Sequence, residues 1–383
     1  MEKQSDTTGR QGQIRELTSK IARERIAPHA AECDRSGSFP LEAIRFLGEA
    51  GLPGLIISET EGGAGQGRAC FASVVQEIAE ACASTALIYT SHVVAAKAIE
   101  VAGSELLKKK WLPAMLQSQC LGAFAVHEPG SGSNAGAIST RAVRDGDFYI
   151  VNGSKFFITS AGEADVYLAL VRTDPEKGPQ GMSTLLIEKD TPGLSFGRPE
   201  DKMGLRSTSS REMSFSDCRV PVEHLIGNEG EGLQVIGKSL VGWGFYGAGA
   251  ISVGIAKAAV EASVRHAKER TIAGQPIGAH QAVQFMISDM VVGSESAEAY
   301  LNTSAARADA SPATAALNGF KAKLHASEMA VEVADKAIQV LGGHGYTRDY
   351  TVERLFRDAR GLTLHFKTSE WLRQDIAKAA LGI

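Results

Sequence analysis

The sequence predicts an α+β chain in three successive parts, helical, then β-rich, then helical again. Three observations predict it. Apolar residues recur at helical spacing through the first third of the chain. Around residue 121 that period gives way to short β-rich runs, punctuated by Asp-Gly, Asn-Gly, Gly-Pro and Pro-Gly pairs. From Gly232 long helical patterns return and persist. The expected organisation is a helical domain over 1–120, a β-domain over 121–228 and a helical bundle over 229–383.

Ile14, Leu17, Ile21 and Ile26 form the first helical stripe. It is expected to stop at Pro28, which has no N–H to donate and crowds the preceding turn. Leu41, Ile44, Leu47 and Ala50 form a second helix, closed by Gly51 and Pro53. Cys70 to Glu80, Ser84 to Val101 and Lys108 to Leu116 continue the pattern. In the middle part Asp147 to Val151, Lys155 to Thr159, Val166 to Val171 and Thr184 to Ile187 read as strands, and Arg211 to Val220 as one more before Pro221. The last part holds long helices over Ile251 to Arg270, Ala282 to Ala306 and Pro312 to Leu341. Shorter ones follow at Thr351 to Asp358 and Ser369 to Leu381.

A chain of 383 residues exceeds one ordinary core, so one to three packed units are expected. It is 44% hydrophobic and 22% charged, a soluble globular balance. The net charge of −4, with lysines and arginines scattered, argues against a nucleic-acid surface. The five cysteines (Cys33, Cys70, Cys82, Cys120 and Cys218) are odd in number and include no C-x-x-C pair. That argues against a disulfide framework or a zinc site and suits a reducing cytoplasm. The N-terminus is polar, with no apolar signal core, and apolar stretches are broken by Gly, Ser or charge before the length of a membrane span. A cytoplasmic protein with no metal and no membrane insertion is expected.

Six segments then stand in a familiar order. Ala125-Val-His-Glu-Pro-Gly-Ser-Gly-Ser-Asn134 and Asn152-Gly-Ser-Lys-Phe-Phe-Ile-Thr159 come first, followed by Lys202-Met-Gly-Leu-Arg206 and Phe215-Ser-Asp-Cys-Arg-Val-Pro221. Glu269-Arg270 with Gly274 and His280-Gln281 comes next. Gln339-Val-Leu-Gly-Gly-His-Gly-Tyr346 with Val352-Glu-Arg-Leu-Phe-Arg-Asp-Ala359 closes the series. The chain resembles the acyl-CoA dehydrogenases over nearly its whole length. One glycine motif alone would be weak; the order and spacing of all six carry the resemblance.

The resemblance implies the acyl-CoA dehydrogenase fold: an N-terminal helical domain, a β-barrel-like middle domain and a C-terminal four-helix bundle. It also implies FAD, held by Phe124, Val126, His127, Gly132, Ser133, Phe157, Thr159, Arg270, Gln281, Gln339, Gly342, Gly343, Thr368 and Glu370. The residue chemistry suits such a site. Gly342, Gly343 and Gly345 allow close backbone approach to a pyrophosphate. Arg270 offers a fixed charge and a planar donor fork, and Gln281 can both donate and accept. Thr159 offers a hydroxyl and Phe157 an apolar wall to a flavin ring. Taken singly, the glycines could equally cap a helix and Arg270 could form a structural ion pair. A homotetramer or homodimer is implied, with Gln339 to Gly343 facing the FAD of a partner chain.

The pattern breaks on the substrate side. In the family a glutamate removes the α-proton of an acyl thioester while hydride leaves the β-carbon for the flavin. Counting from Arg357-Asp358-Ala359 and back from Thr368-Ser369 puts Phe366 at that glutamate's place and Lys367 at the following glycine's. Some members carry the base on another helix, just before an arginine; counting back from Arg270 puts Gly244 and Phe245 there. Neither phenylalanine nor glycine accepts a proton.

The expected pocket is bordered by Ser133, Trp243, Gly244, Phe245, Phe366 and Lys367. The catalytic residue is left open among His127, His365 and Lys367. His127 stands where the family has a threonine, and it titrates near neutral pH; a hydrogen-bonded wall residue is its other role. His365 and Lys367 flank Phe366, with side chains that diverge from it if the segment is extended. Tyr246 is a further candidate acid, with core packing as its alternative. His92 follows a Tyr-Thr-Ser run in a helix expected near the acyl end, and Glu128, part of the family motif, is expected to be structural. Three activities fit. The first is an acyl-thioester dehydrogenase without the glutamate base, passing electrons to a partner or to oxygen. The second is altered chemistry on the same fold, such as elimination or desulfination of an acyl-CoA or a reduced-flavin monooxygenase. The third is a base-less subunit of a hetero-oligomer.

Overall fold

The computed structural model describes residues 2–383 apart from Ser133, with side chains from Gly9 onward. Six helices open the chain: α1 (Glu2–Ile21), α2 (Ala27–Ser36), α3 (Leu41–Glu49), α4 (Arg68–Ala81), α5 (Ala83–Ala102) and α6 (Glu105–Met115). Pro28 does not stop the first run. A widened π turn, Ala22–Ile26, stands immediately before it, and the chain stays helical to Ser36. The proline lies inside a continuous helix, just after the π turn. There the i→i+5 bond from the Ala27 N–H to the Ala22 carbonyl shifts the pairing next to the residue that lacks an N–H. The helix ends instead at Gly37, which takes a left-handed conformation (φ 70°). Helix α5 is buried on almost every side, so its polar residues are core residues that need partners.

The middle part is an eight-stranded sheet. Its strands are β1 (Gly122–Ala125), β2 (Arg141–Asp145), β3 (Phe148–Ile158), β4 (Val166–Arg172), β5 (Met182–Glu188), β6 (Leu194–Phe196), β7 (Arg211–Pro221) and β8 (Leu225–Ile226). The order is β6-β7-β3-β2-β4-β5-β8, with β1 pairing in parallel to β4. The two strands expected around Asn152-Gly153 are one. At Gly153 (φ 142°) the pairing with β7 shifts register, so the dipeptide makes a bulge rather than a turn. A Cβ there would lie 2.8 Å from Thr140 Cα, so the close strand approach requires glycine.

The third part begins with α7 (Gly232–Ile236), runs through a π-helical segment, Gly237–Gly244, and continues as α8 (Phe245–Glu269). A small hairpin, β9 (Thr271–Ile272) and β10 (Gln275–Pro276), precedes α9 (Gln281–Ala310), α10 (Ala315–Leu341), α11 (Thr351–Leu364) and α12 (Ser369–Leu381). Helix α10 packs along α8 and α9, and α11 closes the bundle against α10 and α8. Small residues on α8 admit the N-terminal helices. A Cβ on Gly254 would lie 2.6 Å from the Gln76 carbonyl of α4, and one on Gly247 would lie 2.5 Å from Thr90 of α5. Contrary to the sequence expectation, the run Gly232–Glu269 is long and apolar enough to cross a membrane. However, 89% of its most apolar window is buried inside the protein, as in a core helix.

Candidate functional site

The turn between α11 and α12 carries Phe366 and the residues that flank it. His365 N–H donates to the Gly361 carbonyl and ends α11, and Lys367 N–H turns back to the His365 carbonyl at 2.7 Å. Between them Phe366 is held at φ 59°, a left-handed conformation uncommon for a bulky side chain. Lys323, fully buried on α10, clamps this turn. Its Nζ donates to the Thr363 carbonyl at 3.2 Å and the Lys367 carbonyl at 2.8 Å. Burial pushes the Lys323 ammonium down to about 7.

The turn brings Phe366 against the end of the π-helical segment. A Cβ on Gly244 would stand 3.1 Å from Phe366 Cε1. The Phe366 ring lies 5.8 Å from that of Phe245, which packs edge-on to Phe320 at 4.8 Å. Trp243, expected at the same pocket, packs instead edge-on to Phe71 at 6.0 Å, with the Arg68 guanidinium 4.3 Å from its ring centre.

Lys367 does not join this group. Its ammonium pairs with Asp375 and lies 5.5 Å from the ring centres of Phe320 and Trp371. Its backbone N–H and carbonyl serve the turn, while its ammonium is engaged with Asp375 rather than free. His365 behaves in the opposite way. The segment is not extended, and the His365 ring packs edge-on to Phe366 at 4.5 Å. The expected divergence of the two side chains is therefore absent. Ser133 lies outside the described residues.

His127 approaches the same turn. Burial pushes its imidazole below the ordinary histidine range; a hydrogen bond with the Phe366 backbone opposes this, and the Lys155 charge adds to it. His365 is pushed down to about 3 by burial and then by His127, Lys323 and Lys202, with no carboxylate among the groups acting on it. Both imidazoles are neutral at pH 7 and can accept a proton.

The other candidates are held by buried hydrogen bonds and an ion pair. Tyr246 is fully buried and donates its hydroxyl to the Ala315 carbonyl at 2.8 Å, so it is committed to packing. His92 Nδ1 accepts from the Gly122 N–H at 3.0 Å, which leaves Nε2 to donate to the Met115 carbonyl at 2.8 Å. That fixes its tautomer and ties α5 to β1. Glu128 meets the fully buried Lys155 ammonium at 2.8 Å. It also accepts from the backbone N–H groups of Ser139 and Thr140 at 2.6 and 2.9 Å. Burial opposes its charge, but the Lys155 ammonium and these donors hold the carboxyl well below its usual range.

Acidification tests this cluster. Burial pushes His92 down to about 4 and His365 to about 3, and lowers His127 as well. A histidine buried neutral binds fewer protons than it does unfolded. Its stabilisation is complete above pH 6.5 and is lost as pH falls toward the folded value, for His92 on the order of 3 kcal/mol. Asp358, buried and pushed up to about 6, works in the opposite direction. The expected result is that His92→Asn flattens the fall in urea midpoint between pH 6.5 and 4. An unchanged slope would contradict the assignment.

The cofactor candidates form two groups. Phe124, Val126 and Thr159 are buried near the ends of β1 and β3. Phe157 caps β3 at φ 54° with its ring 54% exposed, an apolar face presented on a strained backbone. Gly132 is left-handed at φ 51°. Thr368 caps α12, with Glu370 exposed on its first turn. The second group lies at one end of the bundle. Arg270 ends α8, Gln281 begins α9, and Gln339, Gly342 and Gly343 end α10, all exposed. His266 and His344, 5.8 Å apart, join the ends of α8 and α10. Arg270 has no ion pair among the described residues, and the space above Gly342 and Gly343 is open. An open glycine cradle beside a free guanidinium, together with an exposed aromatic ring elsewhere, fits a flavin dinucleotide.

Sequence reasoning missed Lys323 and Phe320. Lys323 carried a signal: it stands on the small-residue face of α10, with Gly319, Ala326 and Ala330 at helical spacing. Phe320 carried none, because one more aromatic in a helix reads as core.

A helical domain, a sheet and a helical bundle follow one another here as in a class of flavin-dependent oxidoreductases. The chain belongs to the acyl-CoA dehydrogenase family. It matches the descriptions "Acyl-CoA dehydrogenase, N-terminal domain" over residues 8–119, "middle domain" over 123–218 and "C-terminal domain" over 230–381. It is 40% identical over 350 residues to the mitochondrial isobutyryl-CoA dehydrogenase of Dictyostelium discoideum, covering 91% of this chain and 84% of that one. It is 38% identical over 364 residues to the short-chain specific acyl-CoA dehydrogenase of Clostridium acetobutylicum, covering 95% and 96%. The butyryl-CoA dehydrogenase structure from Megasphaera elsdenii superposes with a TM-score of 0.92 at 32% identity, covering 97% and 98%.

Proposed function

We propose that this chain is an FAD-dependent enzyme that acts on an acyl thioester without the usual carboxylate base. One observation carries the reading. Phe366 and Gly244, the two positions at which the family resemblance expects that base, meet each other, with neutral imidazoles beside them. Bound FAD would supply the acceptor for hydride leaving the acyl β-carbon. Phe157 and Thr159 would border its ring, and the Arg270 and Gly342–Gly343 end of the bundle would hold the nucleotide of a partner subunit. Two groups of cofactor residues on one chain suit a homo-oligomer. So do the exposed Phe285 and Val292 on α9 and Tyr346 after α10, at 60%, 64% and 87% exposure.

Among the described residues the Phe366 backbone N–H has no acceptor, so it is free to polarise a thioester carbonyl. His127, which approaches the same turn, takes the α-proton. The names of the relatives, isobutyryl-CoA, butyryl-CoA and short-chain, support an acyl-CoA of modest size. Electrons then leave for an electron-transfer partner or oxygen.

Anaerobic titration of the purified protein with a panel of acyl-CoAs tests this. Bleaching of the flavin absorbance by one of them is the expected result. A flavin bleached only by dithionite or an external reductase, with product appearing only on adding oxygen or without redox change, would replace this reading with oxygenation or elimination. No bound flavin in the purified homo-oligomer would favour a non-catalytic subunit.

A further inference from the structure

Gly244 has φ −62° and ψ −32°, ordinary right-handed helical values. Its backbone therefore has no need of glycine, and alanine there would ordinarily stabilise the helix. What requires glycine is the neighbour. A Cβ would stand 3.1 Å from Phe366 Cε1, 3.4 Å from Cζ and 3.2 Å from a Leu240 methyl. The ring has little room to retreat. Phe366 is fixed by a left-handed turn clamped from Lys323. Behind it Phe245 packs on Phe320 and rests over Gly319, where a Cβ would come within 3.2 Å of Phe245 Cβ and 3.1 Å of Tyr246 Cε2. Two glycines on two helices thus seat one continuous aromatic wall.

We infer that Phe366 and Gly244 form a single specificity device: the bare backbone at Gly244 seats the Phe366 ring, and the seated ring sets the width of the acyl pocket, admitting short acyl thioesters and excluding long ones. The inference rests on the acyl-thioester reading above. A long chain entering beside the ring would have to displace Phe366, Phe245 and Phe320 together, because each is packed against the next.

A double-mutant cycle and one binding panel test it. In the otherwise unchanged protein, Gly244→Ala lowers Tm, because its Cβ meets the ring. In a Phe366→Ala background the same change raises Tm, because helix propensity alone remains and the Leu240 methyl has room to move. Flavin absorbance shifts are then followed on adding butanoyl-CoA and octanoyl-CoA. The unchanged protein prefers butanoyl-CoA by about tenfold or more, and Phe366→Ala removes most of that preference. The same sign of ΔTm in both backgrounds would overturn the seating. A sign reversal with an unmoved chain-length preference would overturn the role in specificity. If neither thioester shifts the flavin spectrum of either protein while the sign still reverses, the acyl-thioester reading falls, and the specificity with it.

Discussion

Replacing Phe366 with glutamate raises the rate at which simple acyl-CoAs bleach the flavin, by about 10²–10⁴-fold, the contribution ordinary for a positioned general base. The structure favours a productive placement. The Lys323 clamp on the Thr363 and Lys367 carbonyls acts on the main chain, so the turn that positions the side chain survives the substitution. Removing the ring also empties the space above Gly244. The Lys202 and Lys323 ammoniums, whose charges reach the neighbouring His365, favour an ionised carboxylate there. Anaerobic rapid mixing across a range of chain lengths measures the gain. If Phe366→Glu bleaches no faster than the unchanged protein with any of them, the pocket does not hold an acyl-CoA in a reactive pose.

The second large effect is on stability. Glu128→Ala leaves the Lys155 ammonium fully buried, with only the Leu170 carbonyl at 2.6 Å and the Val126 carbonyl at 3.3 Å as partners. Breaking one half of a buried pair in this way costs about 3–5 kcal/mol. Ser139 and Thr140 lose their acceptor as well, and these bonds shape the loop that carries Gly132. The variant should unfold at markedly lower urea concentration and lose its flavin on gel filtration. Glu128→Gln keeps an acceptor for those N–H groups and should fall between the two. A Glu128→Ala protein as stable as the parent would show that the pair is not structural.

Much of this was legible in the sequence because the signals were periodic or local. Helices α4, α5 and α12 follow their apolar spacing and end near the residues that spacing implies. Counting along motifs put Phe366, Lys367, Gly244 and Phe245 at the border of one pocket; the direct approach of Phe366 to Gly244 is seen only in the structure. What was not legible depended on tertiary partners. A π turn that absorbs Pro28, or a bulge that lets Asn152-Gly153 continue a strand, is chosen by packing on neighbouring elements. The fate of Lys367 hinged on Asp375, one of many acids to which it could have turned. The left-handed turn at Phe366 required knowing that a lysine from α10 clamps it from below.

The most direct test of the account is the pH dependence of flavin bleaching by a short acyl-CoA under anaerobic, single-turnover conditions, in the unchanged protein and in His127→Asn. If a neutral imidazole takes the α-proton where a carboxylate is missing, the rate falls as pH drops below the ordinary histidine range toward the depressed value of His127. His127→Asn should then lower the plateau rate by about 10²-fold or more and remove that dependence. A His127→Asn protein that bleaches at the parent rate with the parent profile would contradict the account.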